Sequence, residues 1–108
     1  MIDSILARQT TAATGGKLRP AQQKSPAQAP GFDFDGEQIL SSDHVLQRDT
    51  VPARTAIIGG GAIGCEFASY LADVGSEVTV LEAMPSILPG VDAEVAKVVA
   101  RSFKKRGI

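Results

Sequence analysis

Residues 55–64 read TAIIGGGAIG, a short apolar run that ends abruptly in three glycines. The β-branched and apolar residues from Thr55 to Ile58 are typical of a buried parallel strand. A helix is predicted from Ala62 to Val74, because apolar side chains recur there at near-helical spacing and Gly75 stands where a helix ends. A second strand is predicted from Glu77 to Glu82. The order strand, helix, strand is that of a parallel α/β unit.

One more helix is predicted after a turn that contains two prolines and a glycine. Asp92 can cap its first turn and Gly107 can supply its stop. Its apolar stripe is predicted to comprise Val95, Val98, Val99 and Phe103. Strand, helix, strand and helix leave a parallel sheet without its third strand. We therefore expect a poorly stable chain with exposed apolar edges.

The glycines at 59, 61 and 64 fit the spacing G-x-G-x-x-G between a predicted strand and a predicted helix. Gly59 allows the tight turn, and a side chain at Gly61 would collide with a pyrophosphate near the backbone. A side chain at Gly64 would push the helix away from the strand. The phosphates would meet the exposed N–H groups of the first helical turn, which includes Ala62 and Ile63. This pattern predicts an incomplete Rossmann-type half that binds a dinucleotide.

Glu82 ends the second predicted strand, 18 residues after Gly64, close to the ~20 expected for a ribose-binding acid. A carboxylate there accepts hydrogen bonds from the ribose hydroxyls and repels a 2′-phosphate. Residues 83–85 contain no arginine that would bind such a phosphate. The sequence therefore favours NAD over NADP. The alternative is a glycine-rich turn and a solvent-facing glutamate that bind no ligand.

The chain divides into three parts by composition. Residues 1–30 are rich in Ala, Gln, Thr, Ser and Pro, and we expect a largely disordered leader. A mitochondrial transit peptide is an alternative for that part. Residues 31–54 are expected to form a connector, in which Ser42 or Asp43 can cap a single helical turn through Leu46. Residues 55–108 then form the partial NAD-binding domain.

Composition limits the remaining function classes. The chain has 108 residues and a formal net charge of −1, which fits one small domain and argues against a nucleic-acid partner. Its apolar stretches are too short for a membrane span or a signal peptide, so we expect a cytoplasmic protein. Cys65 is the only cysteine. The chain alone therefore forms no disulfide, zinc cluster or dithiol pair, and Cys65 is interpreted as a small buried residue.

A longer stretch of sequence carries a family resemblance. Residues 57–92 read IIGGGAIGCEFASYLADVGSEVTVLEAMPSILPGVD, which resembles the NAD-binding domain of the FAD-dependent pyridine nucleotide-disulfide oxidoreductases. Residues 30–46, PGFDFDGEQILSSDHVL, are similar to the segment that leaves the flavin domain in that family. The resemblance implies a homodimer that binds FAD and NAD in separate domains and passes electrons between a dithiol, the flavin and the nicotinamide.

The resemblance also implies roles for individual residues. It assigns Gly59, Gly61 and Gly64 to the NAD pyrophosphate and Glu82 to the adenosine ribose. Glu66 is similar to a family glutamate near the place where the nicotinamide meets the flavin, although a residue favoured by the helix dipole is the alternative. The branch that the chain resembles most reoxidises the lipoyl arm of 2-oxo acid dehydrogenase complexes.

The chain departs from the family pattern in three ways. The first flavin-binding glycine turn, the redox pair of cysteines and the domain that supplies a His-Glu acid-base pair are missing, and His44 lies in the connector. We therefore expect a fragment that is inactive alone and carries no catalytic residue. A relative similar to mercuric reductase, a non-catalytic module that binds a nucleotide or a partner, and a remnant without activity of its own are the alternatives.

Overall fold

The computed structural model describes the backbone of Ser4–Leu6 and all of residues 33–108. One mixed sheet in this part of the chain has the strand order β2-β1-β3-β4. The elements are β1 (Ser4–Leu6), β2 (Ile39–Ser41), α1 (Ser42–Leu46), β3 (Arg54–Ile58), α2 (Ala62–Asp73), β4 (Glu77–Leu81) and α3 (Ala93–Lys105).

The unit β3-α2-β4 contains the predicted strand, helix and strand, with bounds that agree to within one residue. Its two strands are parallel, with Arg54 opposite Glu77 and Ile58 opposite Leu81. Helix α2 ends at the C-cap Val74, and Gly75 follows with a φ of 101°, which suits a glycine at this position. The chain is thus a small α/β structure with parallel strands and helices, in agreement with a Rossmann-type fragment.

Strand β1 was not predicted from the sequence. It lies between β2 and β3 and is antiparallel to both, with Ile5 opposite Leu40 on one side and Ile57 on the other. It belongs to the leader 1–30, for which disorder is expected, while residues 7–30 lie outside the described part of the chain. The parallel unit is therefore extended by an antiparallel pair on the side of β3 that faces away from β4.

Helix α1 is the single helical turn predicted in the connector. Its N-cap is Ser41, one residue before the predicted caps. The Ser41 hydroxyl accepts a hydrogen bond from the His44 N–H at 3.3 Å, and the His44 ring accepts one from the Ser41 N–H at 3.1 Å. This reciprocal capping gives His44 a structural task at the start of the helix.

The buried face of α3 differs from the predicted stripe. Val95 and Val98 are 51% and 63% exposed, whereas Ala96 and Phe103 are buried and Val99 packs against the core. Val99 and Phe103 were correctly predicted to face the core. The prediction was wrong for Val95 and Val98, because the packed side of the helix is narrower than the predicted stripe and includes the small residue Ala96 beside Val99 and Phe103.

The core lies between the sheet and residues of all three helices. Its buried members are Leu40, Val45, Ile57, Cys65, Ala68, Leu71, Val78 and Phe103. Beside it, Arg106 joins the end of α3 to α2 by donating hydrogen bonds to the Ser69 hydroxyl at 2.8 Å and to the Asp73 carboxylate at 2.6 Å. This packing fixes α2 against β3 and β4, and thereby positions the turn that connects them.

Candidate functional site

The glycine turn, residues 59–61, lies at the carboxyl ends of β3 and β4. The Gly59 N–H donates a hydrogen bond to the Leu81 carbonyl at 2.8 Å, which continues the pairing of the two strands. The φ of Gly59 is 105°, a conformation that favours glycine. Gly61 is the N-cap of α2, and no side chain caps that helix. The first turn of α2 therefore presents backbone N–H groups at the edge of the sheet.

Gly64 lies in the first turn of α2, against the preceding strand. A Cβ atom built on Gly64 would overlap the Gly59 carbonyl oxygen and would lie 3.4 Å from Cγ2 of Ile57 in β3. A side chain would thus force the helix away from the strand, which is the packing reason that the sequence pattern implies. The missing Cβ at Gly64 allows the N-terminus of α2 to approach the turn.

Glu82 closes the site from the end of β4. One carboxylate oxygen, Oε2, accepts a hydrogen bond from the Gly60 N–H at 2.7 Å, and Oε1 accepts one from the Met84 N–H at 2.8 Å. These bonds, that of Met84 first and that of Gly60 second, lower the pKa of the Glu82 carboxyl below its ordinary value. The structure therefore joins the glycine turn directly to the predicted ribose-binding acid, which is ionised at neutral pH.

Gly60 is a central residue of the site that the sequence motif did not identify, because its position in G-x-G-x-x-G accepts any residue. Its carbonyl oxygen accepts hydrogen bonds from the Leu88 N–H at 2.6 Å and from Cys65 Sγ at 3.4 Å. Its N–H donates to Glu82. The run of three consecutive glycines was the available signal, since the motif explains Gly59 and Gly61 but not the glycine between them.

Cys65 is buried beneath the glycine turn. Burial and, to a smaller extent, the negative charge of Glu82 raise the pKa of its thiol, because both disfavour the thiolate. A protonated thiol can donate its hydrogen to the Gly60 carbonyl, whereas a thiolate cannot. Cys65 therefore contributes to the turn as a small neutral donor, in agreement with its interpretation as a buried residue.

The other predicted site residues lie on the exposed side of α2. Ala62 and Ile63 are exposed in its first turn, and Ile63 retains 42% of its accessible surface. Glu66 is exposed one turn further along the helix. The structure thus brings Ala62 and Ile63 to the mouth of the turn, and it leaves the role of Glu66 as a prediction.

Comparison with known proteins adds to this geometry. A family model described as pyridine nucleotide-disulphide oxidoreductase matches residues 4–108. The chain belongs to this family. Dihydrolipoyl dehydrogenase of Zymomonas mobilis is 46% identical over 96 residues, which cover 89% of this chain and 19% of the relative. The dihydrolipoyl dehydrogenase of Bacillus subtilis is 40% identical over 106 residues, 98% of this chain and 21% of the relative.

A third relative, dihydrolipoyl dehydrogenase of Chlorobaculum tepidum, is 43% identical over 88 residues, which cover 82% of this chain and 19% of that protein. The resemblance to the dihydrolipoyl dehydrogenase branch of the family is thereby confirmed. The chain spans about a fifth of the length of these curated relatives.

Among the described residues, no helix is long and apolar enough to cross a membrane. The same residues contain no group of three or more His, Cys, Asp or Glu side chains that could hold a metal ion.

Proposed function

We propose that the glycine turn, the first turn of α2 and Glu82 bind NAD. The observation that carries the proposal is the 2.7 Å hydrogen bond between the Gly60 N–H and Glu82 Oε2, which brings the two halves of the predicted site together. The uncapped N-terminus of α2 supplies donors and a positive dipole end for the pyrophosphate. The residues present therefore fit a dinucleotide.

Glu82 retains acceptor capacity for the ribose. A carboxylate has about four lone-pair sites, and the hydrogen bonds from Gly60 and Met84 use one on each oxygen. The remaining sites can accept the two ribose hydroxyls. A 2′-phosphate in the same place would meet a like charge that is retained at neutral pH. We therefore propose that the site prefers NAD to NADP.

We further propose that the intact protein is a dihydrolipoyl dehydrogenase-like flavoprotein. Bound FAD and NAD would supply hydride transfer between the flavin and the nicotinamide. The residues of this chain hold and orient the dinucleotide by its phosphates and ribose, with Glu66 proposed near the nicotinamide. A homodimer, association with a 2-oxo acid dehydrogenase complex and a cytoplasmic location are part of the same proposal, which rests on the named relatives.

Isothermal titration of the chain with NAD and with NADP tests the cofactor site. Glu82→Gln keeps the side-chain shape and removes the charge, so we expect NAD binding to weaken by about ten-fold or more. Glu77→Gln is the matched control, because Glu77 is an exposed carboxylate at the opposite end of the same strand. Equal affinity of both variants for NAD would refute the assigned role of Glu82.

A second candidate function is a non-catalytic module that binds a partner protein by strand addition. The observation in its favour is the position of β4 as an outer strand of the described sheet, with Leu81 52% exposed. A stoichiometric complex with another protein in gel filtration, from a chain that binds neither nucleotide, would favour this candidate over the cofactor site.

A further inference from the structure

We propose that Gly60 and Leu88 are positioning residues that hold Glu82 in the place where it binds the adenosine ribose, and that Ile87 limits the space beside Gly60. Here the clamp loop is defined as residues 83–91, which connect β4 to α3. The inference rests on the proposed binding of NAD by Glu82. It adds that the loop after β4 sets the cofactor preference by fixing the middle glycine of the turn.

The first step is the anchoring of the two peptide groups on either side of the Gly60 Cα. The Leu88 N–H donates to the Gly60 carbonyl at 2.6 Å, while the Gly60 N–H donates to Glu82 Oε2 at 2.7 Å. Both partners come from the end of β4 or the loop after it. The clamp loop therefore fixes the carbonyl of Gly60, which limits the rotation of the residue that donates to Glu82.

The second step is the lack of space around Gly60, which is buried. A Cβ atom built there would lie 3.0 Å from Ile87 Cγ2 and 3.3 Å from both Cβ and Oε2 of Glu82. The first distance is shorter than normal carbon–carbon contacts of about 3.5–4.0 Å. Ile87 and Glu82 thus both limit the space beside Gly60, and a methyl group on Gly60 has to displace at least one of them by a few tenths of an ångström.

The third step is the backbone of Leu88, whose φ is 55°. This left-handed conformation is disfavoured for leucine. It is maintained by the hydrogen bond to Gly60 and by a turn in which the Val91 N–H donates to the Leu88 carbonyl at 3.1 Å. Backbone strain of this kind persists where surrounding contacts determine it, and it is frequent at ligand-binding sites.

These steps give Gly60 a task that differs from those of the three motif glycines. Gly59, Gly61 and Gly64 let the chain turn and let phosphate and helix approach. Gly60 instead links the clamp loop to Glu82, because its carbonyl accepts from Leu88 and its N–H donates to Glu82. Displacement of Gly60 should therefore weaken the hydrogen bonds between Glu82 and the ribose more than the binding of the pyrophosphate. The ratio of NAD to NADP affinity should change as a result.

The test compares Gly60→Ala, Ile87→Ala and the double variant Gly60→Ala/Ile87→Ala in the full chain. We expect Gly60→Ala to raise the pKa of the Glu82 carboxyl, measured by carbon-13 NMR titration, because its hydrogen bond from residue 60 is lengthened and weakened. NAD affinity should fall by about ten-fold and NADP affinity by less. Ile87→Ala alone should leave both quantities unchanged. The double variant should restore both, since Ile87→Ala removes the atom nearest to the new methyl group.

A merely structural role for Gly60 predicts a lower melting temperature with an unchanged Glu82 pKa and an unchanged ratio of the two affinities. That result, or a double variant no better than Gly60→Ala, would overturn the inference. If Gly60→Ala fails to fold, replacement of the Leu88 N–H by an ester oxygen removes the donor alone, and an unchanged Glu82 pKa would again overturn it. Wild-type chain that binds no NAD refutes the proposed function, while the Glu82 titration still decides the positioning.

Discussion

Gly64 packs so closely against the turn that a methyl group in its place has no room, because its Cβ would overlap the Gly59 carbonyl oxygen. We predict that Gly64→Ala lowers the free energy of unfolding by about 1–3 kcal/mol, as for other overpacked sites, and abolishes measurable NAD binding. Urea unfolding and isothermal titration provide the two measurements.

Gly75→Ala is the control for this prediction, because Gly75 has a φ of 101° and open space around its Cβ position. Gly75→Ala should lower the free energy of unfolding by about 1 kcal/mol, because alanine is disfavoured in a left-handed backbone conformation. It should leave the nucleotide affinity of the folded chain unchanged. Equal loss of NAD affinity in both variants would show that Gly64 acts through general stability alone.

Cys65 reports the charge of Glu82 through the pKa of its thiol. Burial and then the Glu82 charge raise that pKa, so Glu82→Gln should lower it, although burial will keep it above the ordinary cysteine value. Carbon-13 NMR titration of the Cys65 side chain measures the change, and Glu77→Gln should leave it unaltered. An unchanged thiol pKa in Glu82→Gln would contradict the coupling.

The raised pKa of the Cys65 thiol also makes the stability of the chain depend on pH. The unfolded thiol ionises at a lower pH than the folded one, so its contribution to stability is present below the unfolded pKa and decreases as the pH rises from that value through the folded pKa.

Single residues of the site were predictable to different degrees. Gly59, Gly61, Gly64 and Glu82 follow from spacing, because a strand, a tight turn and a helix impose fixed distances along the chain. Ile87 and Leu88 were not predicted, since their contacts with Gly60 depend on the conformation of a loop with no periodic pattern. Sequence spacing therefore identified the groups expected to meet the ligand, and the structure identified the groups that hold them.

At the scale of elements, the bounds of the helices were predicted better than their buried faces. In α2 the small residues Gly64, Cys65 and Ala68 are buried together with Leu71, whereas Ile63 is 42% exposed. Small side chains let a helix approach a sheet closely, but they carry a weak hydrophobic signal in the sequence. Large apolar residues therefore indicate only part of the face that packs.

The revised face of α3 leads to a prediction. Phe103 is 7% exposed and Val98 is 63% exposed, so Phe103→Ala should destabilise the chain by about 3–5 kcal/mol and Val98→Ala by about 0.5 kcal/mol or less. Thermal and urea unfolding measure both. A similar loss of unfolding free energy in the two variants would support the predicted stripe, in which Val98 is buried with Phe103, and contradict the observed packing of α3.

At the scale of the whole molecule, the parallel unit was predictable and the full sheet was not. Local patterns defined β3 and β4, because each has an apolar run bounded by turn residues. The pairing of Ile5 with Leu40 and Ile57 joins segments far apart in the chain, and a three-residue strand in a polar leader has no local signal. Such pairing depends on hydrogen bonds between distant backbones, which composition and periodicity do not encode.

The outer strand of the described sheet has consequences for how the isolated chain behaves. Strand β4 pairs with β3 only among the described strands, Thr79 is exposed on it, and the formal net charge of −1 gives little repulsion between copies. We predict a broad thermal transition and association that increases with protein concentration. Scanning calorimetry and sedimentation velocity at several concentrations measure these properties.

Thr79→Lys should reduce that association, because a lysine on an outer strand disfavours the addition of another strand. Ser102→Lys is a charge-matched control, since Ser102 is exposed on a helix and not on a strand, and the substitution brings the same change in net charge. If both variants dissociate equally, charge rather than the strand edge controls association. A sharp calorimetric peak that is independent of concentration would show instead that the four-stranded sheet is sufficient for a stable, cooperative fold.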